Sequence, residues 1–476
     1  DSDAEVLLVL WHQMGTDALQ VVRGSFACSI VDVRSRKLFL IQDPVGKKPL
    51  SLYFGEKEVV FGSKVTAIAS ITDKPLEINE DAVNDFWNFG YIDPRRTVFR
   101  DVENILPGEV LEFDFNGKLL SRTVHKPSFK PVSVKTFQEA VDLSSELIRQ
   151  ATLRRLTNNP CPVCLLSGGI DSTVVAKALA GLEHAECITL HGNRLLVPDR
   201  PFASIAADSL GLPLRSVRPR LGQMAEEVLW ALSLQDEPFA PISFFPLALM
   251  MREVRQIGKI VLTGDGGDEV FLGYGSADQW IGNRADTSFR DALVGPPIPG
   301  WMSAWGRNWS EASLLGHMFR KLDRASAEQG VEARCPLLDW DVMAAARSFP
   351  PHVLLRDGRT KAVLKAALSE FGPNFTDRRK VGFTFRIRWI WLKSLFAGLR
   401  DLVSIDAIER FAPGLPTSLR CTPSQWSTLS IFRTFYAVWK LLVWTQFEER
   451  IRQARNGAMI MRNQGEAPGP SSPTSS

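Results

Sequence analysis

The chain has 476 residues, 45% hydrophobic and 23% charged, which is the balance of a globular protein with two or three domains of about 150 residues. Its net charge of +3 excludes the broad basic surface of a nonspecific nucleic-acid-binding protein. Six cysteines are too few for a disulfide framework, which favours free thiols and a cytoplasmic location. No apolar run is long enough for a membrane span, because Arg433 and Lys440 interrupt residues 431–447. We expect neither a nucleic-acid nor a membrane partner.

Residues 1–125 are predicted to form an α+β domain. Four short alternating runs are typical of antiparallel strands, at residues 25–31, 37–41, 59–63 and 110–115. Two segments have a helical pattern, at residues 5–14 and 79–89. The first residue is Asp1 rather than Met, so we expect a chain that is processed or that begins partway through a longer protein.

Residues 126–134 are interpreted as a linker, because Pro127 and Pro131 lie among small polar residues. Beyond it, residues 135–455 are predicted to form a second domain. Its predicted strands lie at residues 163–166, 186–190 and 259–262, and its first predicted helices at residues 136–156, 172–182 and 202–210. Alternation of this kind indicates parallel βαβ units, and hence an α/β fold with a doubly wound sheet.

The C-terminal part is predicted to be mostly helical. One set of apolar residues recurs at helical spacing and is interpreted as a core-facing stripe: Trp426, Leu429, Phe432, Phe435, Tyr436, Trp439, Leu442 and Val443. Residues 456–476 are rich in Gly, Pro and Ser, and are predicted to be disordered because they cannot bury enough apolar surface.

Residues 167–172, with the sequence SGGIDS, follow a predicted strand and open a helix, which is where an open α/β sheet binds ligands. Gly168 and Gly169 let the backbone approach an anion, and the helix N-terminus favours a phosphate. The chain contains no Walker sequence G-x-x-x-x-G-K-[ST]. Asp171 is instead the charged residue of the loop, and a carboxylate beside phosphate implies a bridging cation such as Mg²⁺.

Residues 263–274, with the sequence TGDGGDEVFLGY, follow the predicted strand at residues 259–262. Asp265, Asp268 and Glu269 lie within five residues. This arrangement is unfavourable for stability, because like charges repel and the intervening glycines destabilise a helix or a strand. A bound cation would resolve that repulsion. Two segments look like the motifs of zinc deaminases, but they follow each other along this chain in the opposite order to that in zinc deaminases. No metal besides Mg²⁺ is therefore predicted.

These two loops resemble those of the asparagine synthetase family of glutamine-dependent amidotransferases. Further matching segments follow in the same order: DEPFA at residues 236–240, KLDRASAEQGVEARCPLLD at 321–339, GRTK at 358–361 and KVGF at 380–383. The N-terminal region resembles the second half of the family's glutaminase domain through RGSFA at residues 23–27, DPVGKKPL at 43–50 and LPG at 106–108. The resemblance implies a partial Ntn-type glutaminase domain followed by an ATP pyrophosphatase (PP-loop) synthetase domain.

Members of this family form an acyl-adenylate from a carboxylate and ATP, and ammonia then displaces AMP. The resemblance implies an ATP-dependent, Mg²⁺-dependent ligase that converts aspartate to asparagine, with ammonia that glutamine supplies in a complete parent chain. The implied ATP-binding residues are Leu165, Ser167, Gly168, Gly169, Asp171, Ser172, Leu190, Thr263 and Gly264. The implied metal ligands are Asp171 and Asp268, and the implied catalytic residues are Asp265 and Lys380. Glu332, Arg334 and Asp339 are candidates for supporting ion pairs or for catalysis.

The N-terminal region departs from the family where glutamine would be hydrolysed. The family's nucleophile is a cysteine at the mature N-terminus, whereas this chain starts with Asp1-Ser2-Asp3, so the chain as written is not expected to hydrolyse glutamine. Asp3 is the remnant that matches a glutamine-binding Asp. Cys28 is not expected to substitute, because an apolar environment within a strand raises the pKa of a thiol.

Two alternatives stay open. Residues 241–248 and His191 depart from the family near the acceptor pocket, which leaves room for a β-lactam synthetase or peptide cyclase type of enzyme with another carboxylate substrate. A catalytically retired regulator is the other alternative, and the intact Asp265, Asp268 and Lys380 argue against it. The sequence leaves the oligomeric state open, including a homodimer.

Overall fold

The structure is a computed structural model, and it describes residues 2–55, 58–72, 74–125, 131–156, 161–191, 200–220, 223–273, 318–378, 402–425 and 435–465. The chain forms two compact units, each built from segments that are far apart in sequence. The larger unit comprises Asp1–Lys48, Leu106–Leu234 and Pro241–Leu395. The smaller unit comprises Pro49–Ile105, Gln235–Ala240 and Phe396–Ser476. The domain boundaries near residues 125, 135 and 455 stay predictions.

The larger unit begins with helix α1 (Asp3–Met14), which Ser2 caps by accepting a hydrogen bond from Glu5 N at 3.2 Å. A four-stranded antiparallel sheet follows, in the order β1 (Ala27–Asp32), β2 (Lys37–Gln42), β6 (Glu109–Asp114) and β7 (Leu119–Val124). Three residues of its strands, Ile30, Ile41 and Val110, form a buried cluster with Leu19. The sheet and the helix confirm that the first region has an α+β character.

A second sheet in the larger unit is wholly parallel. Its order is β10 (Leu214–Val217), β9 (Glu186–Leu190), β8 (Val163–Leu165), β11 (Ile260–Leu262) and β12 (Glu332–Arg334). The three predicted strands are therefore confirmed. After β8 the chain moves outward through β9 and β10 and then returns to β11 on the other side of β8. This reversal of strand order is the point at which open α/β sheets bind ligands.

Helices connect the parallel strands and continue after them. They are α4 (Phe137–Arg154), α5 (Ile170–Lys177), α6 (Arg200–Leu210), α7 (Met224–Ser233), α8 (Phe244–Ile257), α9 (Gly267–Val270), α10 (Arg320–Ala327), α11 (Trp340–Ser348), α12 (Pro351–Leu354), α13 (Ala362–Ala366) and α14 (Pro373–Thr376). Thr136 caps α4 by accepting from Glu139 N at 3.1 Å. Helix α5 ends at Lys177 rather than near residue 182, because tight turns lead the chain to Gly181 with φ of 82°.

The smaller unit joins a three-stranded antiparallel sheet to an aromatic core. The sheet has the order β4 (Val59–Gly62), β3 (Ser51–Phe54) and β5 (Val102–Asn104). The helices are α2 (Val65–Ile71), α3 (Glu80–Phe89), α15 (Ile405–Phe411) and α16 (Phe435–Gly465). Trp439 and Trp444 are buried on α16, and Trp439 Nε1 donates to Ala240 O at 2.8 Å.

The predicted apolar stripe is buried at its described positions with one exception. Phe435, Trp439, Leu442 and Val443 are buried, whereas Tyr436 is 42% exposed. The prediction for Tyr436 is wrong because Tyr436 lies in the first turn of α16, where the helix is covered less completely than at residues 438–444. The ring centre of Tyr436 lies 4.9 Å from the Lys440 ammonium, and its hydroxyl lies beside Gly90, where an added Cβ atom would be 2.6 Å away. Trp426, Leu429 and Phe432 lie outside the described residues.

Helix α16 extends to Gly465, which corrects the prediction of disorder for residues 456–465. The first proline after Asn456 is Pro468, and the intervening Ala and Met residues favour a helix, so no helix-breaking proline ends it earlier. Residues 466–476 lie outside the described residues. No helix in the described part of the chain combines the length and the apolar character that a membrane span requires.

Candidate active site

The loop after β8 is held in shape by its own hydroxyl groups. Ser172 Oγ accepts a hydrogen bond from Ser167 N at 3.2 Å and donates one to Gly169 O at 3.1 Å. Gly168 has φ of 81°, and a Cβ atom there would lie 2.4 Å from Ala203 N. Only glycine fits such a position. The loop therefore reaches α5 as a tight, internally bonded turn.

The loop after β11 lies directly against the first loop. A Cβ atom on Gly264 would lie 2.5 Å from Ser172 N, and one on Gly267 would lie 2.3 Å from Asp171 Oδ1. Thr263 is buried, with Oγ1 3.5 Å from Cys335 Sγ. The two loops whose residues the resemblance assigns to one ATP site are therefore in contact through their glycines.

A lysine joins the two loops. Lys361 Nζ lies 2.6 Å from Asp171 Oδ1, 2.5 Å from Asp171 Oδ2 and 2.5 Å from Asp268 Oδ1. Its side chain is only 5% exposed. The two carboxylates that the resemblance assigns to a metal thus converge on one positive charge.

Lys361 keeps its proton in this environment. Burial alone would lower the pKa of its ammonium, but the charges of Asp171 and Asp268 and the hydrogen bonds to them outweigh burial and raise the pKa above its ordinary value. The sequence analysis noted the GRTK segment but gave its lysine no role. That segment was the signal that could have identified Lys361.

Lys380, the predicted catalytic lysine, lies outside the described residues. Two residues before it, Arg378 Nη2 donates a hydrogen bond to Gly168 O at 2.8 Å. The same guanidinium lies 4.0 Å from the ring centre of Phe202, which is a cation–π contact. Arg378 is a second contact of the β8 loop that sequence reasoning missed.

Asp265 follows the end of β11, and its backbone N–H donates to Thr263 Oγ1 at 3.4 Å. The buried Lys321 lies within the electrostatic reach of Asp265 and Glu269. Burial lowers the pKa of the Lys321 ammonium, and the two carboxylates offset only part of that effect. Asp265 therefore shares its surroundings with a lysine that releases its proton more readily than a surface lysine.

Glu332, Arg334 and Asp339 take part in ion pairs. Arg334 binds Glu332 through two hydrogen bonds of 3.0 and 2.8 Å and also donates to Arg155 O at 2.6 Å. Asp339 accepts from Arg154 at 3.0 Å and from Arg155 at 2.8 Å. These contacts tie the end of α4 to β12 and to the start of α11, which favours the supporting role over the catalytic one.

The remaining predicted residues lie on three elements. Leu165 and Leu190 are buried near the ends of the paired strands β8 and β9. Asp3 is exposed in the first turn of α1, where its Oδ1 accepts from Ala4 N at 3.0 Å. Burial raises the pKa of the Cys28 thiol to about 11, which agrees with the expectation that this residue is not a nucleophile.

Asp171 and Asp268 fit a divalent cation. The described residues contain no group of three or more His, Cys, Asp or Glu side chains arranged for a metal. Two carboxylates nevertheless suit Mg²⁺, because this ion keeps several waters and takes substrate phosphate oxygens as further ligands. Their convergence on Lys361 Nζ shows that both can contact one cation.

Comparison with known proteins identifies two regions of the chain. The profile of the asparagine synthase family matches residues 144–306 and 301–412, and that of a glutamine amidotransferase domain matches residues 1–123. A putative glutamine-hydrolyzing asparagine synthetase of Mycobacterium tuberculosis is 25% identical in an alignment 473 positions long, and the match covers 83% of this chain and 72% of that protein. Glutamine-hydrolyzing asparagine synthetase 1 of Bacillus subtilis is 22% identical over 464 residues, with the same two coverages.

The match to the asparagine synthase profile spans more than half of the chain and includes both loops that meet at the reversal of strand order. The N-terminal region is glutaminase-like, and the parallel sheet belongs to the synthetase region that follows it. The chain is therefore a member of the asparagine synthase family of ATP-dependent ligases.

Proposed function

We propose that the protein forms asparagine from aspartate, ATP and ammonia and releases AMP and pyrophosphate. The observation that carries this proposal is the contact of the two loops around Asp171, Asp268 and Lys361. Two carboxylates, one ammonium and the N-terminus of α5 suit a triphosphate bound with a divalent cation. Membership of the family supports the adenylating chemistry.

In the proposed reaction, a side-chain carboxylate oxygen of aspartate attacks the α-phosphorus of ATP, and the bond from that phosphorus to the bridging oxygen breaks. Pyrophosphate leaves and a β-aspartyl-adenylate is formed. The nitrogen of ammonia then attacks the acyl carbon, the carbon–oxygen bond to the phosphate breaks, and AMP leaves as the nitrogen loses a proton. Mg²⁺ held by Asp171 and Asp268 would neutralise charge on the phosphates.

The other predicted residues take the remaining roles in this proposal. Residues 167–172 bind the pyrophosphate portion, and Asp265 accepts the proton that the nitrogen loses. Lys380 stabilises the charge that develops at the α-phosphate and on the tetrahedral intermediate. The adenosine site is lined by Leu165, Leu190, Thr263 and Gly264.

Ammonia is the nitrogen donor in this proposal. Within the glutaminase-like region, the Cys28 thiol has a pKa of about 11 and so forms little thiolate at neutral pH. In this proposal the chain uses free ammonia and does not itself hydrolyse glutamine.

The test supplies the full chain with Mg²⁺, ATP and aspartate, together with either ammonium or glutamine, and measures pyrophosphate and asparagine. We expect both products with ammonium and none with glutamine. Asp268→Asn should lower kcat/KM by roughly 100-fold or more, because a charge aimed at the phosphates is lost. The matched control is Asp208→Asn, which changes an exposed carboxylate on α6 and should leave the rate unchanged. Equal rates from both donors would contradict the proposed nitrogen source, and pyrophosphate release that is the same without aspartate would contradict aspartate as the acceptor.

A further inference from the structure

The position between Asp171 and Asp268 already holds a positive charge that belongs to the chain. We propose that Lys361 occupies this position as a built-in counter-ion until a nucleotide binds, so that the divalent cation enters together with ATP rather than before it. The inference rests on the proposed ATP site and adds an order of binding to it. Lys361 is accordingly a positioning residue that acts through the two carboxylates.

The charges at this point do not allow both cations to share it without the nucleotide. Taken by themselves, these two carboxylates and one ammonium carry a net charge of −1, and Lys361 Nζ is within 2.6 Å of both Asp171 and Asp268. A divalent cation placed on the same oxygens would lie within a few ångströms of the ammonium, and like charges so close together repel strongly. The metal and Lys361 therefore compete for the same oxygens.

A nucleotide removes this competition, because its triphosphate brings new negative charge to the β8 loop. Lys361 can then pair with phosphate oxygens while the metal takes the carboxylates. Binding of metal and nucleotide is consequently coupled, and the coupling is reciprocal by linkage. The free protein should bind a divalent cation weakly even though both carboxylates are in place.

Close packing by neighbouring residues holds the Lys361 side chain between the two carboxylates. A Cβ atom on Gly273 would lie 2.1 Å from Lys361 Cε and 2.0 Å from Asp268 Oδ1, so a glycine is needed beside the ion pair. Lys361 itself has φ of 54°, in the left-handed region that lysine seldom adopts. The side chains of Asp171 and Asp268 are 18% and 13% exposed, although Asp268 Oδ1, the oxygen paired with Lys361 Nζ, is itself buried.

The test measures Mn²⁺ as the probe ion by the electron paramagnetic resonance signal of the free ion, with the full chain and no nucleotide. Lys361→Met removes the competing charge, and we expect it to bind one Mn²⁺ at least about tenfold more tightly than the wild type, as a coupling of this size implies. Lys365→Met is the matched control, since Lys365 lies one turn further along the chain and is half-buried, and it should bind as the wild type does.

A double variant locates the ion that is gained. Lys361→Met with Asp268→Asn should lose the additional Mn²⁺, whereas retention of that ion would place it elsewhere and overturn the proposal. Folded Lys361→Met protein with wild-type Mn²⁺ affinity would overturn the proposal as well.

A second measurement, of Mn²⁺ affinity, uses the wild-type protein and so does not depend on how the variant folds. The wild-type affinity should rise by about tenfold or more when a nonhydrolysable ATP analogue is added. Equally tight Mn²⁺ binding without the analogue, lost in Asp268→Asn, would contradict the inference. None of these measurements needs turnover, so a protein that shows the Mn²⁺ gain and makes no asparagine would support the role of Lys361 and refute the proposed acceptor.

Discussion

Gly267 is the residue at which the two loops leave the least room. An added Cβ atom would lie 2.3 Å from Asp171 Oδ1 and 2.5 Å from Asp171 Cγ, both far inside ordinary contact distance. Asp171 would have to move, and it would then lose its alignment with Lys361 and Asp268. The missing side chain at Gly267 is therefore a requirement of the site.

We predict that Gly267→Ala lowers aspartate-dependent pyrophosphate release by roughly 100-fold, because a shift of about 1 Å in a binding group can reduce a rate by that factor. The release assay measures the rate, and thermal unfolding checks that the variant is folded. Gly258→Ala is the control, since its nearest neighbour would be Cys161 O at 3.6 Å, an ordinary contact. Wild-type activity in Gly267→Ala would show that Asp171 does not need its present position.

Among single residues, the sequence indicated both carboxylates of the candidate site but not the lysine between them. Asp171 and Asp268 could be identified because acidic residues and glycines at the ends of strands are unfavourable for stability unless they bind a ligand. Lys361 is 190 positions from Asp171, and nothing local in its segment indicates which residue it contacts. Arg378 was missed for the same reason, since it reaches Gly168 across 210 positions.

Among the elements of the parallel sheet, the buried strands were predicted and the half-exposed ones were not. The apolar runs of β8, β9 and β11 carry their own signal. Strands β10 and β12, with the sequences LRSV and EAR, do not, because they are strands only through pairing with β9 and β11. Their existence depends on the sheet that they complete.

Helices α7 and α8 are joined by a buried carboxylate. Glu227 on α7 is 1% exposed and accepts from Arg220 Nε at 2.8 Å and from Arg252 Nη2 on α8 at 2.8 Å. Burial alone would raise the pKa of Glu227, but the hydrogen bonds from Arg252 and Arg220 outweigh it and lower the pKa. The carboxylate therefore stabilises the packing of the two helices as an anion.

We predict that Glu227→Gln lowers the free energy of unfolding by about 3 kcal/mol at pH 7, because Arg252 is left without its charged partner. The folded-state pKa is depressed, so the contribution of Glu227 is complete above the unfolded pKa of about 4.3 and is lost as the pH falls through the folded value. Urea unfolding of both proteins at pH 7 and in acid should show the difference shrinking. The neighbouring Glu226→Gln changes an exposed residue and should leave stability unchanged. A loss that is the same at every pH would contradict the electrostatic cause.

On the scale of the whole molecule, the sequence could not predict how distant segments assemble. The smaller unit combines Pro49–Ile105, Gln235–Ala240 and Phe396–Ser476, and periodicity within each segment carries no information about the others. The DEPFA segment illustrates this, because it was noted only as a family match. In the structure Asp236 accepts from Val65 N at 2.6 Å and from Thr66 N at 3.1 Å, and so caps α2 from 170 positions away.

We predict that Asp236→Ala loosens the smaller unit while leaving the parallel sheet intact. The variant leaves N–H groups at the start of α2 unpaired, which should reduce local stability by about 1–2 kcal/mol. Hydrogen exchange should accelerate by about tenfold in α2, Val65–Ile71, and stay unchanged in β8 and β11. The control is Glu77→Ala, which removes an exposed ion pair with Arg100 of the same unit and should alter exchange very little. Faster exchange throughout both units would instead show that Asp236 supports the global fold, and unchanged exchange in α2 would show that its cap is dispensable.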